Sequence, residues 1–505
     1  MAEDPVADTR NLFGAVHEGE DAVVRLLRAG APAEAVDEDG TTALYLAAVS
    51  DRPGVVRLLL AAGADADRAC GPEAGDLPIC GAVCGGHTEV VEALLAAGAQ
   101  PDLREQFGFT ALRWAVGLGH ARIAEALLAH GADPDLPGPG PGHEPPLVFA
   151  VRRGSLETVR ALLRYGAGAR AGSLDEALRE AQGMLALDVE QEMRRALREM
   201  YGDGPGMVVR RTAVDGGETV TVELVRDGEP FAGQEQQTGH GAIATVLEGE
   251  LGLRTPYAEL AARALRGGNP ELDNWHEAVE VLWRRGDEET FQAGAAWCAS
   301  DGEPLRQAFG ADVLAQLGFR TGSKPFAARS VPLLRGLARE AADTELIRSV
   351  VLGLGHHGDP VAVPEVLRHA RNPERVVRRA VTLALFDLVS GDHAEGVAAL
   401  VGLSRDTDAE VRDWATTALA ALDADTPVLR AALAERLDDA DPDTVAEAAQ
   451  GLARRQDPRA VPALERLLRE SEPDGYARSV AVDATAYVAD GPVRERLERM
   501  CPRLP

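Results

Sequence analysis

Residues 55–64 read VVRLLLAAGA and residues 90–99 read VVEALLAAGA. Three more stretches share the form: VVRLLRAGA at 23–31, IAEALLAHGA at 123–132 and TVRALLRYGA at 158–167. Each is a leucine-rich helical run closed by Gly-Ala. The glycines fall at Gly30, Gly63, Gly98, Gly131 and Gly166, steps of 33, 35, 33 and 35 residues. A glycine at that point supplies the positive φ that commonly ends a helix, at no steric cost. A unit this short cannot bury its apolar face alone, so a fixed step of this length predicts units stacked in an array.

Outward from the beat, each run is preceded by a second helical segment. AEAVDEDGTTALYLAA runs from Ala33, with Gly40 in a tight turn and Thr41-Thr42 offering a hydroxyl cap to a helix near Ala43. The frame returns as REQFGFTALRWAVGLGH at 104–120, and in degenerate form as EAGDLPICGAVCGGH at 73–87, with Pro78 at a first helical position. These residues resemble the ankyrin repeat family. Gly40, Thr42, Leu44, Ala47 and Ala48 fit its pattern, as do Gly108, Thr110, Leu112, Ala115, Gly119 and His120, and Gly75, Pro78, Ile79, Ala82, Gly86 and His87. Tyr45, Cys80 and Arg113 stand where the pattern has histidine. The unit around Pro146, Leu147, Ala150 and Gly154 keeps little of it, and its leading loop, DPDLPGPGPGHEPP, predicts an irregular finger. The Arg/Glu-rich segment from Ser173 reads as a polar terminal cap, closing an ankyrin domain at 1–202.

Residues 203–254 break the rhythm. MVVRRTAV and ETVTVELV flank Asp215-Gly216-Gly217, which predicts a β-hairpin. GEPFAGQEQQTGHG reads as polar loop, and AIATVLEGELG as helix. From residue 255 the chain is helical with a shorter beat. First helices are expected at Val331, Val363, Val397, Val428, Val461 and Val493, with Pro332, Pro364, Pro427, Pro462 and Pro492 in first turns. Asp-Pro before Ala-Val-Pro (359–364, 457–462) and Val377-Arg378 or Val411-Arg412 in second helices resemble HEAT repeats of the bacterial phycobilisome-lyase-like type. The fold class expected is all-α: a double solenoid, an ankyrin array followed by a HEAT array at 255–505, with a small β-hairpin joint.

Composition narrows the function. Of 505 residues, 52 are Lys or Arg against 81 Asp or Glu, a net charge of −29 that opposes phosphate backbones and anionic membranes. Five scattered cysteines make no disulfide framework, and the N-terminal MAEDPVADTR lacks an apolar h-region. The expectation is a soluble, cytoplasmic, monomeric bacterial protein without cofactor, membrane or nucleic acid.

Chemical motifs are weak. Cys70, Cys80, Cys84 and His87 would need to converge to hold a metal and read better as framework thiols. Gly353-Leu-Gly-His-His-Gly358 has dinucleotide-loop spacing but ends a helix instead of following a strand, so it reads as a turn. No G-x-S-x-G elbow or Walker A loop occurs. Arg306, Arg348, Arg378 and Arg412 recur in register, either as a basic stripe or as a structural ladder bonded to the neighbouring turn. The cluster Arg375, Arg378 and Arg379 is the exception offered as a binding site. Phe107 and Phe109 flank Gly108 at a finger tip, with Arg113 and Trp114 following and Tyr45 on the register of Arg113. Aromatics and arginine are typical interface anchors, and the ankyrin resemblance implies that fingers and inner helices recognise partners. The competing reading makes Trp114 and one phenylalanine core. The functional expectation is a non-enzymatic scaffold for an unidentified protein or peptide. The alternatives are a HEAT-like lyase or chromophore-handling enzyme, and a nucleic-acid-binding HEAT protein.

Overall fold

A computed structural model describes residues 5–71, 75–139, 144–169, 172–214, 216–299, 303–317 and 324–501, with side chains from Leu12 onward. It is a helical repeat structure that divides into two compact units, 1–278 and 279–505.

In the first unit the Gly-Ala beat has a simple hydrogen-bond basis. The N–H groups of Ala31, Ala64, Ala99, Ala132 and Ala167 donate to the carbonyls of Leu26, Leu59, Leu94, Leu127 and Leu162 at 2.9–3.1 Å. That six-to-one bond, with the preceding glycine at φ 90–103°, is a Schellman closure. It satisfies carbonyls that the helix end would leave open and turns the alanine inward, where each is buried. Helix pairs follow the expected frame: Ala43–Val49 with Pro53–Ala61, Pro78–Cys84 with Thr88–Ala96, and Ala111–Leu118 with Ala121–Ala129. Aspartates stitch one unit to the next. Asp67 Oδ1 accepts from the Gln100 N–H at 2.9 Å, Asp102 Oδ1 from Asp133 at 3.0 Å, and Asp135 Oδ1 from Gly168 at 3.1 Å. The core is continuous along the array and extends past Tyr201, because helix His240–Glu250 adds Ala242, Ile243, Ala244 and Leu247 to it. Residues 140–143 of the enlarged finger lie outside the described residues.

The expected hairpin is present as β1 (Gly206–Val214) and β2 (Gly217–Arg226), with Asp215 outside the described residues. It is not alone. The segment read as loop forms β3 (Glu229–Gln237), giving an antiparallel sheet in the order β1-β2-β3. Asp227 (φ 55°) and Gly228 (φ 89°) make the connection, the pair of positive φ values that a type I′ turn demands. Val220, Val222 and Leu224 of β2 pack against Met193 and Leu197 of helix Val189–Tyr201. Gln236 of β3 donates to the Arg152 carbonyl at 2.7 Å and the Arg153 carbonyl at 2.6 Å, holding the sheet on the last ankyrin-like pair.

In the second unit, second helices of successive pairs form one closely packed row: Pro304–Gln316, Thr344–His357, Arg375–Leu388, Ala409–Ala421, Pro442–Arg454 and Tyr476–Thr485. Small residues set that spacing. A Cβ on Gly355 would lie 2.6 Å from Ala384 Cα, and one on Gly451 would lie 2.7 Å from Ala420 Cβ. One start was misread. Helix Ala327–Glu340 begins a turn earlier than expected, so Pro332 sits inside it instead of in its first turn. The ring there forgoes the bond to the carbonyl four residues back.

Candidate functional site

The inner face of the first array is built around one finger. Glu105 is buried and caps the tip: Oε2 accepts from Phe107 N–H at 2.9 Å and Oε1 from Phe109 N–H at 3.1 Å. Arg104 braces it from outside, donating to the Gly108 carbonyl at 2.7 Å and the Pro137 carbonyl at 2.8 Å. On this fixed turn Phe107 is 63% exposed. Phe109 instead turns in, edge-on to Trp114 with ring centroids 5.2 Å apart. Both of the latter are half-buried, so the two sequence readings share the cluster: one phenylalanine and Trp114 pack, the other phenylalanine projects.

Thr110 Oγ1 accepts from Arg113 N–H at 3.2 Å and so starts the helix that carries Arg113. The guanidinium stacks on Phe149, 3.1 Å from the ring centroid, with Phe109 at 5.7 Å. Among the described residues its Nε and Nη1 have no hydrogen-bond partner. Burial lowers its pKa, against the opposing pull of Glu144. Glu144 is already committed, its two oxygens accepting from Arg152 at 3.0 and 3.1 Å. Phe149 was missed from sequence. Its signal was the register, since it follows Trp114 by 35 residues (149 − 114), the step from Gly131 to Gly166. Tyr45 lies two units before Arg113, on the register of Arg113. Its ring closes over Gly81, where a Cβ would come 3.0 Å from Cε2, and burial pushes its hydroxyl up to about 12.

In the second array the recurring arginines are bonded into the framework. Arg378 grips Asp406 with Nε and Nη2 at 2.7 and 2.9 Å, and its Nη1 donates to the carbonyls of Asn372 and Pro373. Arg412 repeats the arrangement with Asp439 at 3.0 and 2.9 Å and the carbonyls of Asp406 and Thr407. Arg375 and Arg379 are more exposed and pair with Asp408 and Glu410, both at 3.4 Å. The cluster offered as a site therefore faces carboxylates of the next unit.

Two grooves between successive units differ in charge. One, of about 980 Å³, is edged by Arg368, Arg371 and the paired Arg378 and Arg405. The other, of about 690 Å³, is lined by Asp438, Asp439, Asp443, Glu470, Glu472 and Tyr476. Beside the acidic groove, burial and then the neighbouring Asp441, Glu447, Asp443 and Asp439 push Asp413 up to about 7. Its Oδ1 is buried without a partner among the described residues. Glu447 is buried and accepts from the Tyr476 hydroxyl at 2.6 Å.

The remaining motifs resolve into packing. Gly353 and Gly355 lie within helix Thr344–His357, and only Gly358 leaves it, as a left-handed cap. Cys70 and Cys80 are buried and Cys84 is exposed, and burial pushes all three thiols up.

Family models for ankyrin repeats match residues 39–70 and 79–175, and one for HEAT repeats matches 331–420 and 397–486. The chain carries ankyrin repeats in its N-terminal half and HEAT repeats in its C-terminal half. Both are typical protein-interaction scaffold modules. No curated protein matches the chain. The site geometry thus lies on the inner helix and finger of an ankyrin unit, and the arginine ladder on the second helices of HEAT units.

Proposed function

We propose that the protein is a non-enzymatic scaffold that captures a protein segment on the inner face of its ankyrin array, around Phe107, Phe109, Arg113 and Trp114. The observation that carries this reading is Phe107, a large aromatic 63% exposed on a turn whose N–H groups are tied down by a buried glutamate. A rigid exposed aromatic loses little entropy on binding, which is what an interface anchor requires. In this reading the protein works as a bacterial cytoplasmic monomer, without cofactor. The HEAT array is a second scaffold of the phycobilisome-lyase-like kind, a likeness of form without lyase chemistry. Nucleic acid is disfavoured because Arg375, Arg378 and Arg379 are engaged with Asp408, Asp406 and Glu410.

The test is affinity capture from the native cell with the full chain, comparing wild type with Phe107→Ala/Arg113→Ala. A partner retained by wild type and lost by the variant, at unchanged circular dichroism, is the expected result. Equal capture by both sinks the choice of face.

A further inference from the structure

Independently of the ankyrin face, we infer that the arginine-edged groove of about 980 Å³ in the HEAT array docks an acidic segment of a partner protein. The segment's carboxylates meet Arg368 and Arg371 as Glu435 meets Arg405 one unit later. The repeat itself carries this. Arg405 grips both oxygens of Glu435, thirty residues ahead, at 2.7 and 2.9 Å. Arg335 holds Glu365, also thirty residues ahead, at 2.9 and 3.1 Å. Arg371 precedes Arg405 by 34 residues (405 − 371), the step from Arg378 to Arg412. Thirty residues beyond Arg371 stands Val401, so the repeat offers this arginine no acid. Among the described residues neither Arg368 nor Arg371 makes a hydrogen bond, an ion pair or a ring contact.

The two arginines act together because the chain leaves helix Val363–Leu367 in tight turns. The N–H groups of His369, Ala370 and Asn372 donate three residues back, to the carbonyls of Val366, Leu367 and His369, at 3.0–3.2 Å. Side chains three apart in such turns eclipse. Arg368 and Arg371 therefore share one side of the turn, and both line the groove. Both are exposed, so a docking chain reaches them directly. The floor is helix Ala394–Leu403, which presents Ala398, Ala399 and Gly402. A Cβ on Gly402 would touch nothing, so a peptide backbone can lie close there. The charged residues lining the groove are Arg368, Arg371, Arg378, Arg405, Glu395 and Asp406. Arg378 and Asp406 neutralise each other, and Glu435 matches Arg405. Two free arginines remain against Glu395, an excess that favours an anion. Glu395 penalises a phosphate dianion more than a single carboxylate, and the Arg405–Glu435 fork shows the planar pairing that this edge accepts. The overall charge of −29 repels an acidic partner at a distance, but at physiological salt that repulsion is screened beyond about 8 Å.

The experiment selects a phage-displayed library of short random peptides on the immobilised full-length protein. Chosen peptides are then titrated by fluorescence anisotropy against wild type, Arg368→Gln/Arg371→Gln, Ala398→Glu and Phe107→Ala. A class of peptides rich in Asp and Glu should bind wild type and be lost by the double variant, which melts with wild type because neither arginine is bonded to the fold. Replacing an acid of these peptides by its amide should weaken binding to wild type roughly fivefold, and change binding to the double variant far less. The peptide change is read on the wild-type chain, so that result does not depend on how any variant folds. Ala398→Glu sets an internal acid on the exposed floor, thirty residues after Arg368, and should weaken the same peptides. Phe107→Ala should leave them bound. Peptides held equally by wild type and the double variant, peptides with no acid requirement, or a library that yields none overturn the groove. If Phe107→Ala releases those indifferent peptides, the ankyrin face reading stands while this inference falls. Displacement by inorganic phosphate where acetate at matched ionic strength fails assigns the groove to phosphate and overturns the carboxylate.

Discussion

Arg412 in the HEAT array and Arg113 in the ankyrin array meet opposite surroundings. In the HEAT array Arg378 and Arg412 reach forward 28 and 27 residues to Asp406 and Asp439. Each of these aspartates begins an Asp-x-Asp pair whose second member caps the next helix. Asp408 Oδ1 accepts from Val411 N–H at 3.2 Å, and Asp441 Oδ2 from Thr444 N–H at 3.1 Å. The ladder therefore links one unit's second helix to the loop that starts the next. In the ankyrin array Arg113 lies on an inner helix too, but the corresponding carboxylates are spent on Arg152 and on a finger turn. The difference teaches that an arginine is bonded into the framework where the repeat supplies a receiving acid and is left without one where it does not; in the proposed reading the second kind serves a partner. Even within the HEAT array this holds. The unit after Arg348 has Asn372 in its loop, and Arg348 turns instead to Glu345 at 2.8 Å and Asp312 at 3.8 Å.

The largest effect expected from this contrast is at Arg412. Arg412→Ala removes both bonds to Asp439, which is 5% exposed, and strips donors from two loop carbonyls. Asp439 keeps a longer bond from Arg436 Nη1 at 3.3 Å, so the cost should sit at the low end for a broken buried pair, roughly 3 kcal/mol. Arg113→Ala, which loses a ring stack but no hydrogen bond, should cost about 1 kcal/mol. Hydrogen exchange resolves the units separately, with faster exchange expected across 394–454 for the first and little change across 104–130 for the second. Equal losses would erase the distinction between framework and binding arginine. The next effect concerns close packing. Gly355→Ala sets a methyl 2.6 Å from a backbone atom of the facing helix and should cost about 2 kcal/mol. Gly117→Ala meets the Phe149 ring at 2.9 Å, a side chain that can swing, so it should cost less in stability while disturbing the Arg113 stack. Thermal melting measures the first half of that statement, and partner capture by the full chain the second.

What was legible in sequence follows the same division. The Gly-Ala closures were readable because a Schellman end needs glycine, leucine and a small inward residue at fixed offsets. β3 was not, because EPFAGQEQQ has little strand propensity of its own. It forms by pairing with β2, whose buried valines and leucine supply the apolar face; the turn signal Asp227-Gly228 was passed over. Pro332 misled because proline in a first turn is the common case. At the site, Phe107, Phe109, Arg113 and Tyr45 stood out as departures from a repeating pattern; the structure packs Phe109 and Arg113 with Trp114, leaves Phe107 projecting from the same turn and sets Tyr45 over Gly81, two units away. Phe149 stood in a degenerate unit where the pattern itself had faded. That Arg378 would be consumed by Asp406 required knowing which loop faces which helix.

The smallest effect is the most diagnostic, because Asp413 mirrors Arg113 as a charge left without its opposite. Its pKa is raised to about 7 in the folded chain, against about 3.9 when unfolded. Between those values the native state holds the proton more tightly than the unfolded chain. Stability attributable to Asp413 is therefore fully present below about pH 4, declines as pH rises towards 7, and stays lost above it. Asp413→Asn removes the charge while keeping the shape. At pH 8 it should raise the melting temperature of the HEAT array by roughly 2–4 °C, the shift that about 1 kcal/mol brings to a unit of this size. At pH 4, where the native aspartate already carries its proton, the variant should melt with wild type. An increase of the same size at both pH values would mean that packing, not uncompensated charge, sets the effect, and the parallel with Arg113 would fail.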